Sequence, residues 1–161
     1  MKKIILLLLL LAVNYNSFAV SKEDKERESS YLLQIKNEND SDAMFDLGLL
    51  YDEQEKYDLA EKYYLMAVKY NNGSAMTNLG LIYENQKKYD LAEKYYLMAV
   101  EEESDTGMYN LGLLYDNQKK YTLAEKYYLM AIQNNYSDAM YNLALLYDNQ
   151  EKFSLAEKYY L

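Results

Sequence analysis

The nine-residue stretch LAEKYYLMA occurs three times without a change, at Leu59–Ala67, Leu91–Ala99 and Leu123–Ala131. A fourth copy, LAEKYYL, occupies Leu155–Leu161. Each copy begins 32 residues after the one before it. A stretch that returns at a fixed step indicates a repeat protein, in which each copy belongs to one structural unit.

A second stretch follows the same step. LGLLYD at Leu47 returns as LGLIYE at Leu79, LGLLYD at Leu111 and LALLYD at Leu143. The two series together predict a repeat domain over 41–161, with units at 41–72, 73–104, 105–136 and an incomplete 137–161.

Each unit contains two patterns of helical spacing separated by a short polar turn. In the first unit the residues that carry these patterns are Met44, Leu47, Gly48 and Tyr51, then Tyr57, Ala60, Tyr64 and Ala67. One such helix hairpin cannot bury both of its faces, but a stack of hairpins can. The sequence therefore predicts an all-α fold, an α-solenoid of about four stacked antiparallel helix hairpins.

The repeated block itself predicts packing. Ala60, Tyr64 and Ala67 share one helix face and form the expected seam of the hairpin, in which the two small alanines flank the bulky tyrosine. The small residue Gly48 is expected to let the paired helices approach closely. Tyr63 lies on another face, where it is expected to meet the adjoining unit. Asp58 and Lys62 are spaced for an exposed i,i+4 ion pair.

Asparagine, glycine, serine and aspartate dominate the linkers between units. Gly73 is expected at the left-handed position that ends a helix. The short polar residues that suit helix starts are Ser41, Asp42, Asp105, Ser137 and Asp138.

The first 19 residues have the form of a secretory signal peptide. Lys2 and Lys3 precede an apolar run over 4–13, which is too short to span a bilayer, and cleavage is expected after Ala19. This predicts a periplasmic or secreted protein without stable membrane insertion after cleavage; an uncleaved anchor is the alternative. The segment 20–40 is charged in its first part. Its second part is predicted to form a degenerate helix that caps the N-terminal end of the repeats.

Composition excludes several kinds of chemistry. The chain has no cysteine and no histidine, so disulfides, thiolate catalysis, zinc–thiolate sites and imidazole bases are absent. Neither a catalytic residue nor a metal or cofactor site is expected, although a hydrolase that uses paired carboxylates is an alternative. The net charge of −9, which signal cleavage would take to −11, disfavours nucleic acid as a partner.

The residue pattern resembles the tetratricopeptide repeat family. In the first unit, Met44, Leu47-Gly48, Tyr51, Ala60, Tyr64 and Ala67 match that family's motif and spacings. The period of 32 is shorter than the family's ~34. The short linker and the phrase SDAMYNLALLY at Ser137–Tyr147 are similar to Sel-like repeats.

The resemblance implies that the first helix of each unit lines a concave groove that holds a peptide. By position, the implied groove residues are Phe45, Asp46, Thr77, Asn78, Tyr109, Asn110, Tyr141 and Asn142. One turn further lies a leucine row, expected to pack inside, and then an acidic rim at Asp52, Glu84, Asp116 and Asp148, which would favour a basic partner. The asparagines either bind the peptide backbone or brace neighbouring helices.

The expected function is a non-catalytic protein–protein interaction scaffold of the bacterial envelope, which binds a partner polypeptide in this groove. The alternative from the residues is self-assembly into a homo-oligomer. In that case the helix that contains Leu161, which has no capping element after it, would dock on another copy.

Overall fold

Helices account for the whole architecture of residues 22–160, which are the residues that the computed structural model describes. The helices are α1 (22–38), α2 (Ser41–Glu53), α3 (Tyr57–Val68), α4 (Gly73–Asn85), α5 (Tyr89–Glu101), α6 (Asp105–Asn117), α7 (Tyr121–Gln133), α8 (Asp138–Asn149) and α9 (Phe153–Tyr160). No strand occurs between residues 22 and 160. The expected signal peptide, 1–19, lies outside the described residues.

In three repeats, a side chain caps the N-terminus of the first helix. Asp40 accepts hydrogen bonds from the backbone N–H groups of the first turn of α2, and Asn72 and Ser104 do the same for α4 and α6. Each cap satisfies a backbone donor that has no partner within the helix. Ser137, before α8, is in the right-handed helical region and forms no such bond.

Left-handed residues end the helices, and none of them is a glycine. They are Asn39, Asn71, Glu103 and Asn135 in the linkers, and Glu55, Lys87, Lys119 and Glu151 in the hairpin turns. The expectation for Gly73 is wrong, because that residue is the first of α4 and its φ is negative. Two residues before it, Asn71 takes the left-handed conformation with a φ of 58°.

The chain divides into two compact units, Met1–Tyr63 and Tyr64–Leu161, and the division falls within α3. In the first unit α1 contacts α2 through Tyr51, whose hydroxyl donates to Glu28 Oε1 at 2.7 Å. The ring of Tyr51 also stacks on Tyr63 at a centroid distance of 5.5 Å. These contacts bury the first-helix tyrosine between its neighbours.

In the second unit each helix packs on the next in the chain. The hairpins are α4/α5, α6/α7 and α8/α9, and contacts also join α5 to α6, α7 to α8 and α4 to α6. The core contains the alanines and second tyrosines of the repeated block, together with leucines of the first helices. This consecutive packing confirms the predicted α-solenoid.

Glycine at the hairpin seam makes room for a tyrosine ring. A Cβ on Gly112 would lie 2.6 Å from Cδ1 of Tyr128, and one on Gly80 would overlap the ring of Tyr96 still more closely. Both rings are fully buried. At both seams the glycine therefore lets the first helix approach the tyrosine ring closely, and the sequence did not identify the tyrosine as its neighbour.

The remaining residues of the repeated block also have structural partners. Glu93 accepts a hydrogen bond from Tyr115 of the next repeat at 2.9 Å, and Glu125 accepts one from Tyr147 in the same way. The first tyrosine of the block stacks on the first-helix tyrosine of its own repeat, as Tyr95 stacks on Tyr83 at 5.4 Å.

Within the first unit Tyr63 stacks on Tyr51 of its own repeat. The expected ion pair between Asp58 and Lys62 is wrong. Lys62 places its ammonium over the ring of Tyr63, 5.2 Å from the centroid, and no ion pair to Asp58 forms within residues 22–160. An ammonium above an aromatic face is attracted by the ring's negative quadrupole.

Candidate peptide-binding surface on the first helices

The predicted groove residues are distributed over the two compact units. Phe45 and Asp46 lie on α2 in the first unit, where both are half-buried and burial raises the pKa of the Asp46 carboxyl. The other six lie on α4, α6 and α8 in the second unit: Thr77, Asn78, Tyr109, Asn110, Tyr141 and Asn142. We treat the surface that these three helices form as the candidate site.

Thr77 has a structural environment, so its assignment to an open groove is wrong. Thr77 is only 4% exposed to solvent. Its hydroxyl donates to the backbone oxygen of Gly73 at 3.0 Å and lies 3.2 Å from Oγ of Ser104. Because Ser104 also caps α6, Thr77 joins the start of one first helix to the start of the next.

Tyr109 and Asn142 meet across neighbouring repeats. The amide nitrogen of Asn142 donates to the hydroxyl of Tyr109 at 2.8 Å. The ring of Tyr109 lies 5.0 Å from that of Tyr136 and 6.2 Å from that of Tyr128. The structure thus brings together two residues that the sequence placed in separate rows of the groove.

Tyr141 presents the most open aromatic ring of the predicted set. It is 60% exposed, and its ring meets that of Tyr160 edge-on at 6.0 Å. An exposed tyrosine held by another ring offers apolar area and a hydroxyl at small entropic cost. This is the kind of residue that contributes strongly to protein interfaces.

The asparagine row serves in part as a brace. Asn78 donates to the hydroxyl of Tyr64 at 3.2 Å, just as Asn142 donates to Tyr109. Asn110 is half-buried, and its amide forms no hydrogen bond within residues 22–160. The third repeat therefore keeps an amide that can donate to and accept from a peptide backbone.

The leucine row is more open than the sequence indicates. Leu81 is 40% exposed, whereas Leu113 and Leu145 are half-buried. Since Leu113 follows Tyr109 by one helical turn, the two residues share a face of α6. The surface therefore combines apolar area with polar groups.

The acidic rim interacts with the second tyrosines of the repeated block. The predicted groove did not include these tyrosines. Glu84 Oε2 accepts a hydrogen bond from the buried hydroxyl of Tyr96 at 2.9 Å. Burial, then the charge of Asp148, raises the pKa of Tyr160. Burial, then the bond to Glu84, raises the pKa of Tyr96 far above its ordinary value.

Asp116 and Tyr128 differ from the other pairs in this series. The Tyr128 hydroxyl is buried and has no hydrogen-bond partner within residues 22–160. Burial raises the pKa of the Asp116 carboxyl, and burial followed by the charge of Asp116 raises that of Tyr128. In the sequence, the aspartate at 116 also occurs at the equivalent positions 52 and 148, so the residue type alone does not signal this difference.

The surface offers tyrosine rings, amides and carboxylates. No group of three or more acidic residues arranged for a metal ion occurs among residues 22–160. No helix in the described part of the chain is long and apolar enough to cross a membrane.

Comparison with known proteins supports the repeat assignment. A tetratricopeptide repeat family model matches residues 45–107 and 109–161, which together are more than half of the chain. No curated protein is significantly similar to the chain in sequence.

Solved structures share the fold. A Sel1 repeat protein from Oxalobacter formigenes is 27% identical with a TM-score of 0.68; the match covers 76% of this chain and 53% of that chain. This chain therefore spans about half the length of that protein. Two others show the fold alone: c5321, a protective antigen of uropathogenic Escherichia coli with an SLR fold (20% identity, TM-score 0.72, covering 82% and 32%), and pilF of Pseudomonas aeruginosa (21%, 0.65, 86% and 75%).

Repeats of this kind generally serve as protein–protein interaction scaffolds and are typically not enzymes. The four sequence repeats, the consecutive packing of their helices and the family match lead to one conclusion. The chain belongs to the tetratricopeptide repeat family.

Proposed function

We propose that this protein is a non-catalytic scaffold of the bacterial envelope that binds a partner polypeptide along α4, α6 and α8. The observation that carries the proposal is the exposed ring of Tyr141 beside the Tyr109–Asn142 pair. Aromatic rings next to amides suit an extended peptide, because the rings take its side chains and the amides take its backbone.

The charge of the surface supports a basic partner. Glu84, Asp116 and Asp148 recur on one face of the three helices, and the chain carries a net charge of −9. Complementary charge would speed the encounter with a lysine- or arginine-containing segment and would disfavour acidic ones.

Placement in the envelope rests on the N-terminal sequence. The basic start, the apolar run over 4–13 and the small residues Ser17 and Ala19 have the pattern of a signal peptide. Expression in a Gram-negative host, followed by intact-mass measurement of the periplasmic fraction, tests this. The expected product starts at Val20; a cytoplasmic product that retains residues 1–19 would contradict the proposal.

Binding is tested by selecting peptides from a phage-displayed library of random dodecapeptides against the full chain. Recovered peptides, labelled with fluorescein, are then titrated by fluorescence anisotropy. We expect Tyr141→Ala to weaken binding by about tenfold or more, because a truncated tyrosine at an interface centre costs ~2 kcal/mol.

The matched control is Tyr121→Ala. Tyr121 is also an exposed tyrosine, but it begins α7 on the hairpin-turn side. It should leave the affinity unchanged. Recovery of no peptide, or equal effects of the two substitutions, would refute binding on this surface.

A further inference from the structure

The third repeat carries a buried tyrosine hydroxyl without a hydrogen bond, although the equivalent hydroxyls of the two preceding repeats form one. The side chain of Tyr128 is 0% exposed, and its hydroxyl has no partner within residues 22–160. A buried polar group without a hydrogen bond is costly, and such groups are rare in native proteins.

The first reason for the missing bond is the length of one side chain. The ring of Tyr128 lies against Gly112 just as that of Tyr96 lies against Gly80. Tyr96 then reaches Glu84, four residues after its glycine. The residue four after Gly112 is Asp116, which is shorter by one methylene and forms no bond to Tyr128.

The second reason is that the equivalent asparagine donates its hydrogen bond to a different tyrosine. In the first of these repeats the hydroxyl of Tyr64 accepts from Asn78 of the following repeat. The residue at the equivalent position after Tyr128 is Asn142, and it donates to Tyr109 instead. Both partners that serve the other tyrosines are therefore lost at Tyr128.

The carboxylate of Asp116 is left in the same state. Glu84 accepts a hydrogen bond from a tyrosine hydroxyl, whereas no hydrogen bond or ion pair to the Asp116 carboxylate forms within residues 22–160. Asp116 is half-buried, and burial raises its pKa, which indicates poor solvation of the charged form.

We propose that Asp116 and the Tyr128 hydroxyl, beside the ring of Tyr109, form the anchor for one lysine or arginine side chain of the partner polypeptide. This rests on the proposed function and adds the residue that the surface selects. An ammonium or guanidinium would donate to the Asp116 carboxylate and to the Tyr128 oxygen, and would lie near an aromatic face. A neutral amide could also donate to both groups, but it would not balance the charge of the Asp116 carboxylate.

Tyr109 is the half-buried ring next to Tyr128. Its hydroxyl accepts a hydrogen bond from Asn142, and its ring also meets that of Tyr136. We expect the entering cation to shift Tyr109 from these contacts and to replace them with charge-assisted bonds.

The test uses the fluorescein-labelled dodecapeptides selected on the full chain. We expect the recovered peptides to share a lysine or arginine at one position. Replacement of that residue by glutamine should weaken binding to the wild-type chain at least tenfold and should have no further effect on Asp116→Asn. Asp90→Asn, on α5, removes the same charge from an exposed position and should leave affinity unchanged.

Asp116→Glu separates this anchor from a general effect of charge. The longer side chain should reach Tyr128 as Glu84 reaches Tyr96, so the melting temperature should rise while affinity for the basic peptide falls severalfold. Peptides that bind without a basic residue, or equal affinity for Asp116→Asn and the wild type, would overturn the anchor while leaving groove binding intact. Recovery of no peptide at all would refute the proposed function together with the anchor.

Discussion

The hydroxyls of Tyr96 and Tyr128 should respond in opposite ways to the same substitution. Both rings are fully buried against a seam glycine, so tyrosine to phenylalanine removes one oxygen and preserves the packing. Tyr96 loses a 2.9 Å bond to the Glu84 carboxylate, whereas Tyr128 loses a hydroxyl that has no partner.

The magnitudes follow from these partners. A hydrogen bond to a charged group contributes ~1.5–3 kcal/mol, and Glu84 is only half-buried and can regain water, so Tyr96→Phe should lower the free energy of unfolding by about 1.5 kcal/mol. Removal of a buried hydroxyl without a partner relieves its desolvation, so Tyr128→Phe should raise the same quantity by about 1 kcal/mol.

Thermal unfolding followed by circular dichroism measures both variants under one condition. In a chain of this size ~1 kcal/mol corresponds to a shift of roughly 2–4 °C, so the two melting temperatures should differ by about 5–10 °C. Equal destabilisation by the two substitutions would refute the reasoning, because it would mean that the Tyr128 hydroxyl has a stabilising partner.

Three further predictions concern the seam, the turns and the buried phenols. Gly80→Ala should lower the free energy of unfolding by about 1–3 kcal/mol, because the new methyl group overlaps the buried ring of Tyr96, whereas Ala144→Gly should cost at most ~1 kcal/mol. Lys87→Gly and Lys119→Gly should each raise the melting temperature by a few degrees, since both lysines have a φ near 60°, which costs a non-glycine residue roughly 1 kcal/mol. Stability should fall above about pH 10, because the pKa values of the buried tyrosines are raised on folding and the unfolded chain loses its phenolic protons first.

Each of these predictions has a result that contradicts it. Gly80→Ala as stable as the wild type would show that the seam tolerates a methyl group. Lysine-to-glycine variants that melt at lower temperatures would show that the loss of unfolded-state rigidity outweighs the relief of backbone strain. A melting temperature that stays constant from pH 8 to pH 11 would mean that the phenols titrate alike in both states.

The sequence predicts the hairpins well because their signal is repeated. The 32-residue step and the tyrosine–alanine spacing show which residues share one face of each helix. That shared face is the one that packs against the neighbouring helix. The position of the left-handed linker residue was less predictable: Gly73 is adjacent to a helix start, and Asn71 serves instead because asparagine tolerates this conformation.

The candidate site depends on differences between repeats that a pattern does not reveal. Thr77 is buried, and its hydroxyl meets that of Ser104, 27 residues later in the chain. The state of Tyr128 depends on one methylene at Asp116 and on the choice of Asn142 between two hydroxyls. Such outcomes follow from how far each side chain reaches in three dimensions, which the repeat pattern does not show.

The most direct test of the binding surface is the anisotropy titration of a selected dodecapeptide against the wild-type chain, Tyr141→Ala and Tyr121→Ala. Both tyrosines are exposed, and they lie on α8 and α7 respectively. We predict a loss of about tenfold or more for Tyr141→Ala and no change for Tyr121→Ala. Full affinity of a correctly folded Tyr141→Ala variant would contradict the account.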